Sequence, residues 1–185
     1  MIEFLQKIPS KKTSWVMLIF GFVVFLPVYT YNVGLLKLMP FNMYEYADVI
    51  SSFNTQSLKN LLQSVVDQRQ LQTFRLIYIL NIISTTGLAT GLSILCIMII
   101  RKFKINTRLS VVSFLFLLAV LAVAFLDYLF SVVFLTVMGN PICVKYWHTF
   151  IICSTYVVRI VMIYFVFLWL LFSAVYFAVI AIRKK

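Results

Sequence analysis

Four long apolar stretches dominate the chain, separated by short polar or basic segments. They run from about 14–33, 76–100, 109–138 and 150–182. A helix needs ~20 apolar residues to cross a hydrocarbon core of ~30 Å, and every stretch meets that length. The last two exceed it by some turns, which predicts tilt or helix protruding beyond the membrane. The pattern therefore predicts an all-α fold, a four-transmembrane-helix bundle in which residues 1–185 form a single integral membrane domain.

Residues 34–75, between the first two stretches, are the one sizeable segment outside the bilayer. They carry helix signals of a different kind. Pro40-Phe41-Asn42 precedes Glu45, so Asn42 can cap a first turn while Glu45 reaches back to the Asn42 amide. Phe41 and Tyr46 stand where a hydrophobic staple would. A second helix is expected near Ser57. Leu58, Leu61, Leu62 and Val65 make one apolar stripe, opposed by Lys59, Asn60, Gln63, Asp67 and Gln68. This is a short amphipathic helical cap, lying on the membrane surface or over the bundle mouth.

Composition supports the pattern. The chain is 63% hydrophobic and only 11% charged, where a soluble domain carries roughly 25% charged residues. A net charge of +11 would suit nucleic acid. The basic residues instead bracket the apolar spans and form no broad face, so the lipid bilayer is the expected partner and nucleic acid is not. One side of the membrane would hold Lys7, Lys11 and Lys12, then Arg101, Lys102, Lys104 and Arg108, then Arg183, Lys184 and Lys185, against Glu3 alone. The other would hold Lys37, Lys59, Arg69, Arg75 and Lys145, offset by Glu45, Asp48 and Asp67. The positive-inside bias predicts cytoplasmic termini, in the plasma (inner) membrane if the source is bacterial. The first stretch reads as a retained anchor, since it is longer than a signal-peptide core of about 7–15 residues and lacks a clean cleavage site.

Asp127 and Arg159 are the only charges inside the four stretches. A charge in hydrocarbon costs at least a few kcal/mol, so each calls for a partner or a function. Asp127 precedes Gly139 by 12 residues and Arg159 follows Phe150 by 9. At ~1.5 Å per residue they lie about 18 Å and 14 Å from the same ends of adjacent antiparallel helices. That spacing predicts an intramembrane ion pair. A carboxylate tied to Arg is a poor proton carrier, which favours a register-fixing role over a gate.

The second stretch has a polar stripe of Asn81, Ser84, Thr85, Thr86, Thr90 and Ser93. Asn81 is its strongest polar group and can reach the Asp127–Arg159 layer, which Thr85 and Thr155 are expected to share. Gly87 and Gly91 form a G-x-x-x-G that lets two helices approach closely, within the bundle rather than between copies. Pro27 should kink the first span as a matter of geometry. His148, beside Tyr146 and Trp147, reads as an interfacial anchor; a single His supports neither a haem pair nor a three-ligand metal site. No cofactor or metal is expected. Cys96, Cys143 and Cys153 include no C-x-x-C, and the last two remain open between a bridge and two apolar thiols.

Several four-span classes are excluded. The C-x-x-C of disulfide-oxidising proteins, the W…C…C loop of claudin-like proteins, the Cys-rich second loop of tetraspanins and the first-span Glu of small multidrug transporters are all missing. The run Phe125-Leu126-Asp127-Tyr128-Leu129, then Gly139-Asn140-Pro141 and the segment Thr155 to Arg159, resembles an uncharacterised group of small bacterial four-span membrane proteins. Those carry a third-span F-D-x-x-E-N motif, a fourth-span basic residue and an outer helical segment. Phe130 and Ser131 stand here in place of its Glu and Asn. The resemblance implies the architecture and no activity.

The leading expectation is a non-enzymatic accessory or scaffold subunit that packs against other membrane subunits of a larger complex. The alternative is a small transporter or channel with a polar site near Asp127, Arg159 and Asn81. A lipid-modifying enzyme fits least, with one membrane acid and a His about three turns away in depth.

Overall fold

The computed structural model describes residues 9–103 and 107–183. Lys7, Lys104, Lys184, Lys185 and Glu3, five of the residues in the charge argument, lie outside them. The described residues form α1 (Lys11–Leu36), α2 (Met43–Ser51), α3 (Thr55–Asp67), α4 (Leu71–Lys102), α5 (Arg108–Val137) and α6 (Tyr146–Arg183), with a 3-10 turn at Pro141–Cys143. Four of these, α1, α4, α5 and α6, are long and apolar enough to cross a membrane. The all-α four-span architecture is as the apolar pattern predicts. The second and fourth spans, α4 and α6, start earlier than the apolar stretches do, at Leu71 and Tyr146, because their polar first turns continue the helix beyond the apolar run.

The spans pack in chain order, α1 on α4, α4 on α5 and α5 on α6, with the α2–α3 cap reaching α6 at one end. At the opposite end the last turn of α4 meets the start of α1 and the last turns of α6. The Arg101 guanidinium donates to Ser14 Oγ at 2.9 Å and to the Pro9 carbonyl, and Lys102 Nζ lies 4.9 Å from the Phe177 ring centre. The two ends are called here the cap end and the termini end.

Close approach of α1 to α4 depends on glycine. A Cβ on Gly21 would sit 2.7 Å from Gly91 N and 2.8 Å from Gly87 O. A Cβ on Gly87 would sit 2.8 Å from the backbone of Gly21 and of Phe25. The G-x-x-x-G therefore packs inside the bundle, and its partner is a glycine on α1. Helix α1 continues unbroken through Pro27. Its outer face, with Ile19, Phe20, Val23 and Leu26, is exposed, as are Phe165, Leu168, Leu171 and Phe172 on α6. Such faces suit lipid, which is as apolar as the side chains.

The cap forms as its local signals direct. Asn42 Oδ1 accepts from the Tyr44 and Glu45 amides at 2.9 and 2.8 Å, and Glu45 Oε2 accepts from the Asn42 amide at 2.9 Å. The Phe41 and Tyr46 rings stack at 5.5 Å. Asn54 caps α3 by accepting from Gln56 and Ser57 N–H. The stripe Leu58, Leu61, Leu62 and Val65 is buried against Phe74, Tyr78, Phe134 and Ile152. Burying a Leu fully contributes ~1.5–3 kcal/mol, so the stripe seats α3 on the bundle mouth rather than on the membrane plane. Helix α3 ends with Arg69 in the left-handed region (φ 56°). The Gln70 amide bonds Val65 O at 3.0 Å and the Arg69 amide bonds Val66 O at 2.9 Å. This satisfies two end carbonyls and turns the chain into α4.

Candidate functional site

Helical spacing gathers the polar groups of three spans into one layer. Asn81 and Thr85 stand four apart on α4; Asp127, Phe130 and Ser131 stand on one face of α5; Tyr156 and Arg159 stand three apart on α6. Arg159 Nη1 pairs with Asp127 Oδ1. Asp127 Oδ2 accepts from Asn81 Nδ2 at 3.0 Å and from the Thr85 hydroxyl. Asn81 Nδ2 also donates to Ser131 Oγ at 3.0 Å. Both carboxylate oxygens thus have partners, the condition under which a buried charge is tolerated. The Arg159 guanidinium carbon lies 5.0 Å from the Phe130 ring centre and 5.3 Å from that of Tyr156. These rings fix the plane of the guanidinium and add cation–π attraction.

Of the residues expected to share the Asp127–Arg159 layer, Asn81 and Thr85 are in it, both bonded to Asp127. Thr155 is not. It is buried, but its hydroxyl donates to the Ile151 and Ile152 carbonyls of its own helix. A hydroxyl inside a helix finds that carbonyl without leaving the chain. Ser131, which stands where the bacterial motif carries Asn, is the member that composition alone did not single out.

The layer has a second surface. A cavity of about 320 Å³ lies under the cap, between α1 and α6, and Arg159 and Asn81 form part of its wall. Asn32 on α1 and Tyr46, Tyr78 and Tyr156 face it as well. The Tyr46 and Tyr78 hydroxyls are hydrogen-bonded at 2.5 Å, which ties α2 to α4 across the roof. Burial pushes the Tyr46 phenol well above its ordinary value of 10.0, so it is neutral. Asn32 is only 6% exposed, and its Oδ1 has no hydrogen-bond partner among the described residues. Tyr29 and Met43 are the lining residues exposed by about half, at 50% and 47%, which places the mouth on the α1 side at the edge of the cap. The one trace of this chamber along the chain is Asn32, a polar side chain within the last turns of an otherwise apolar helix.

The remaining polar residues of α4 face elsewhere. Thr86 bonds the Tyr128 hydroxyl at 3.0 Å, and Thr86 and Thr90 bond carbonyls of their own helix. His148 Nδ1 accepts from the Lys145 amide at 3.0 Å, capping the start of α6, with its ring 3.6 Å from that of Trp147. Cys96 and Cys153 are buried free thiols, and Cys143 is free and exposed. No His, Cys, Asp or Glu cluster among the described residues has the geometry to hold a metal ion.

Compared with protein-family models, with curated proteins and with solved structures, the chain finds no match, so the reading of this site rests on its own geometry.

Proposed function

We propose that the protein binds a small polar ligand in the chamber under its cap, in the manner of a small transporter or channel. The observation that carries this reading is the exposure of the pair. Asp127 is 6% exposed, whereas the Arg159 side chain is 20% exposed and lines a cavity. A pair that fixed helix register alone would gain nothing from an Arg159 side chain open to a cavity. Positive-inside bias puts the cap end outside, so the chamber serves the outer half of the membrane.

The accessory-subunit reading draws on a different observation, the exposed apolar faces of α1 and α6. Lipid covers such faces equally well, so they support it less. Purification in mild detergent followed by native mass measurement separates the two. Ligand binding predicts the 21.5 kDa chain, alone or as a small homo-oligomer, carrying a small adduct that Arg159→Gln lacks. A large co-purifying assembly without an adduct would replace this reading with the accessory one.

A further inference from the structure

Resting on that reading of the chamber, we infer that its ligand is a small zwitterion, an oxyanion and an ammonium group joined by a short linker. The oxyanion docks on the Arg159 guanidinium, and the ammonium group on Asn32 and on Tyr29 at the mouth.

The charge balance argues first. One Asp and one Arg line or border the chamber, and they neutralise each other. A net charge added beside a neutral pair in a low-dielectric site is left uncompensated. A zwitterion adds none. The hydrogen-bond inventory argues second. A guanidinium has five N–H donors, and among the described residues Arg159 pairs with Asp127 alone, through Nη1. The remaining donors form the planar fork that matches a carboxylate or a phosphodiester. Asn32 Oδ1 is a buried acceptor with no donor among the described residues, and the N–H of an ammonium group supplies one. The walls argue third. Tyr29 lines the mouth, and aromatic rings attract ammonium groups. A volume of about 320 Å³ suits an amino acid or a phospholipid headgroup. The mouth lies at the side of α1, so a headgroup can arrive from the lipid as readily as a solute arrives from water.

The test uses the full chain in phosphatidylglycerol nanodiscs, with the unfolding midpoint as the readout. The soluble probes are alanine and glycerophosphoethanolamine as zwitterions, inorganic phosphate as the oxyanion alone and choline as the cation alone. A parallel arm replaces part of the phosphatidylglycerol by phosphatidylethanolamine. The expected result is a midpoint that rises with a zwitterion and stays in place with phosphate or choline. A rise with alanine alone identifies a free solute, and a rise with the ethanolamine-bearing probes identifies a headgroup; either supports the inference. Asn32→Leu, which leaves the Asp127–Arg159 pair in place, should raise the half-saturating zwitterion concentration at least tenfold. Phosphate or choline acting as well as the zwitterions overturns the inference, as does an unchanged response in Asn32→Leu. No response to any zwitterion overturns it too. A non-zwitterionic adduct in the native mass measurement would leave the ligand-binding reading standing and remove this one.

Discussion

Asp127 is held at both carboxylate oxygens, by Arg159 on one and by Asn81 and Thr85 on the other. Removing one side of such a pair leaves the other charge buried without compensation, which costs about 3–5 kcal/mol. Asp127→Asn and Arg159→Gln should each lower the melting temperature in detergent sharply. The double variant should lose less than the sum of the two, since it buries no lone charge. A double variant no more stable than the additive expectation would contradict direct pairing. These residues were legible because charged and amide groups are rare inside apolar stretches, and helix depth put them in register. Thr155 was misleading because a hydroxyl can be satisfied by its own helix. Asn32 was hidden because a polar group near the end of a span normally meets water; here it is buried under the cap.

At the scale of elements, the packing of α1 on α4 hinges on backbone against backbone at Gly21, Gly87 and Gly91. A methyl group on Gly21 would meet the α4 backbone at 2.7–2.8 Å, while one on Gly91 would meet the Phe22 ring at 3.2 Å. Backbone cannot yield as a ring can. Gly21→Ala should therefore destabilise by about 1–3 kcal/mol and Gly91→Ala by less, as read from thermal unfolding. An equal effect would show that α1 and α4 do not touch as described. The G-x-x-x-G was visible in the α4 sequence, whereas its partner Gly21 was one lone glycine with no periodicity to mark it.

The cap responds to pH through Tyr46. Its folded value is raised by burial above the ordinary 10.0, so the unfolded chain loses this proton first as pH rises. The contribution is thus fully present below about pH 10 and is lost progressively above it. A melting series through that range should fall less steeply in Tyr46→Phe, which has no phenol to ionise. The same variant should be about 1 kcal/mol less stable at neutral pH for loss of the Tyr78 hydrogen bond.

For the whole molecule, span number, span length and the capping chemistry of α2 follow from local pattern, because hydropathy, helix caps and apolar stripes act within a few turns. The chamber does not. It exists because α1 packs on α4 while α6 packs on α5, and because α3 seats the cap over the gap they leave. No residue signals that arrangement by itself. Pairwise packing chooses it, and it makes one member of a buried ion pair, Arg159, part of a cavity wall.

The decisive measurement is reagent access to the chamber. Ala47 lines it from the cap, Cys96 and Cys153 are buried, and Cys143 is exposed. In a Cys143→Ser background, Ala47→Cys should react with a membrane-impermeant thiol reagent added outside the cell, and a bound zwitterion should slow the reaction. Cys143 in the parent chain controls for reagent access at the cap end. Reaction at Cys143 with none at Ala47→Cys would contradict the account, because the pair would then lie behind a sealed cap.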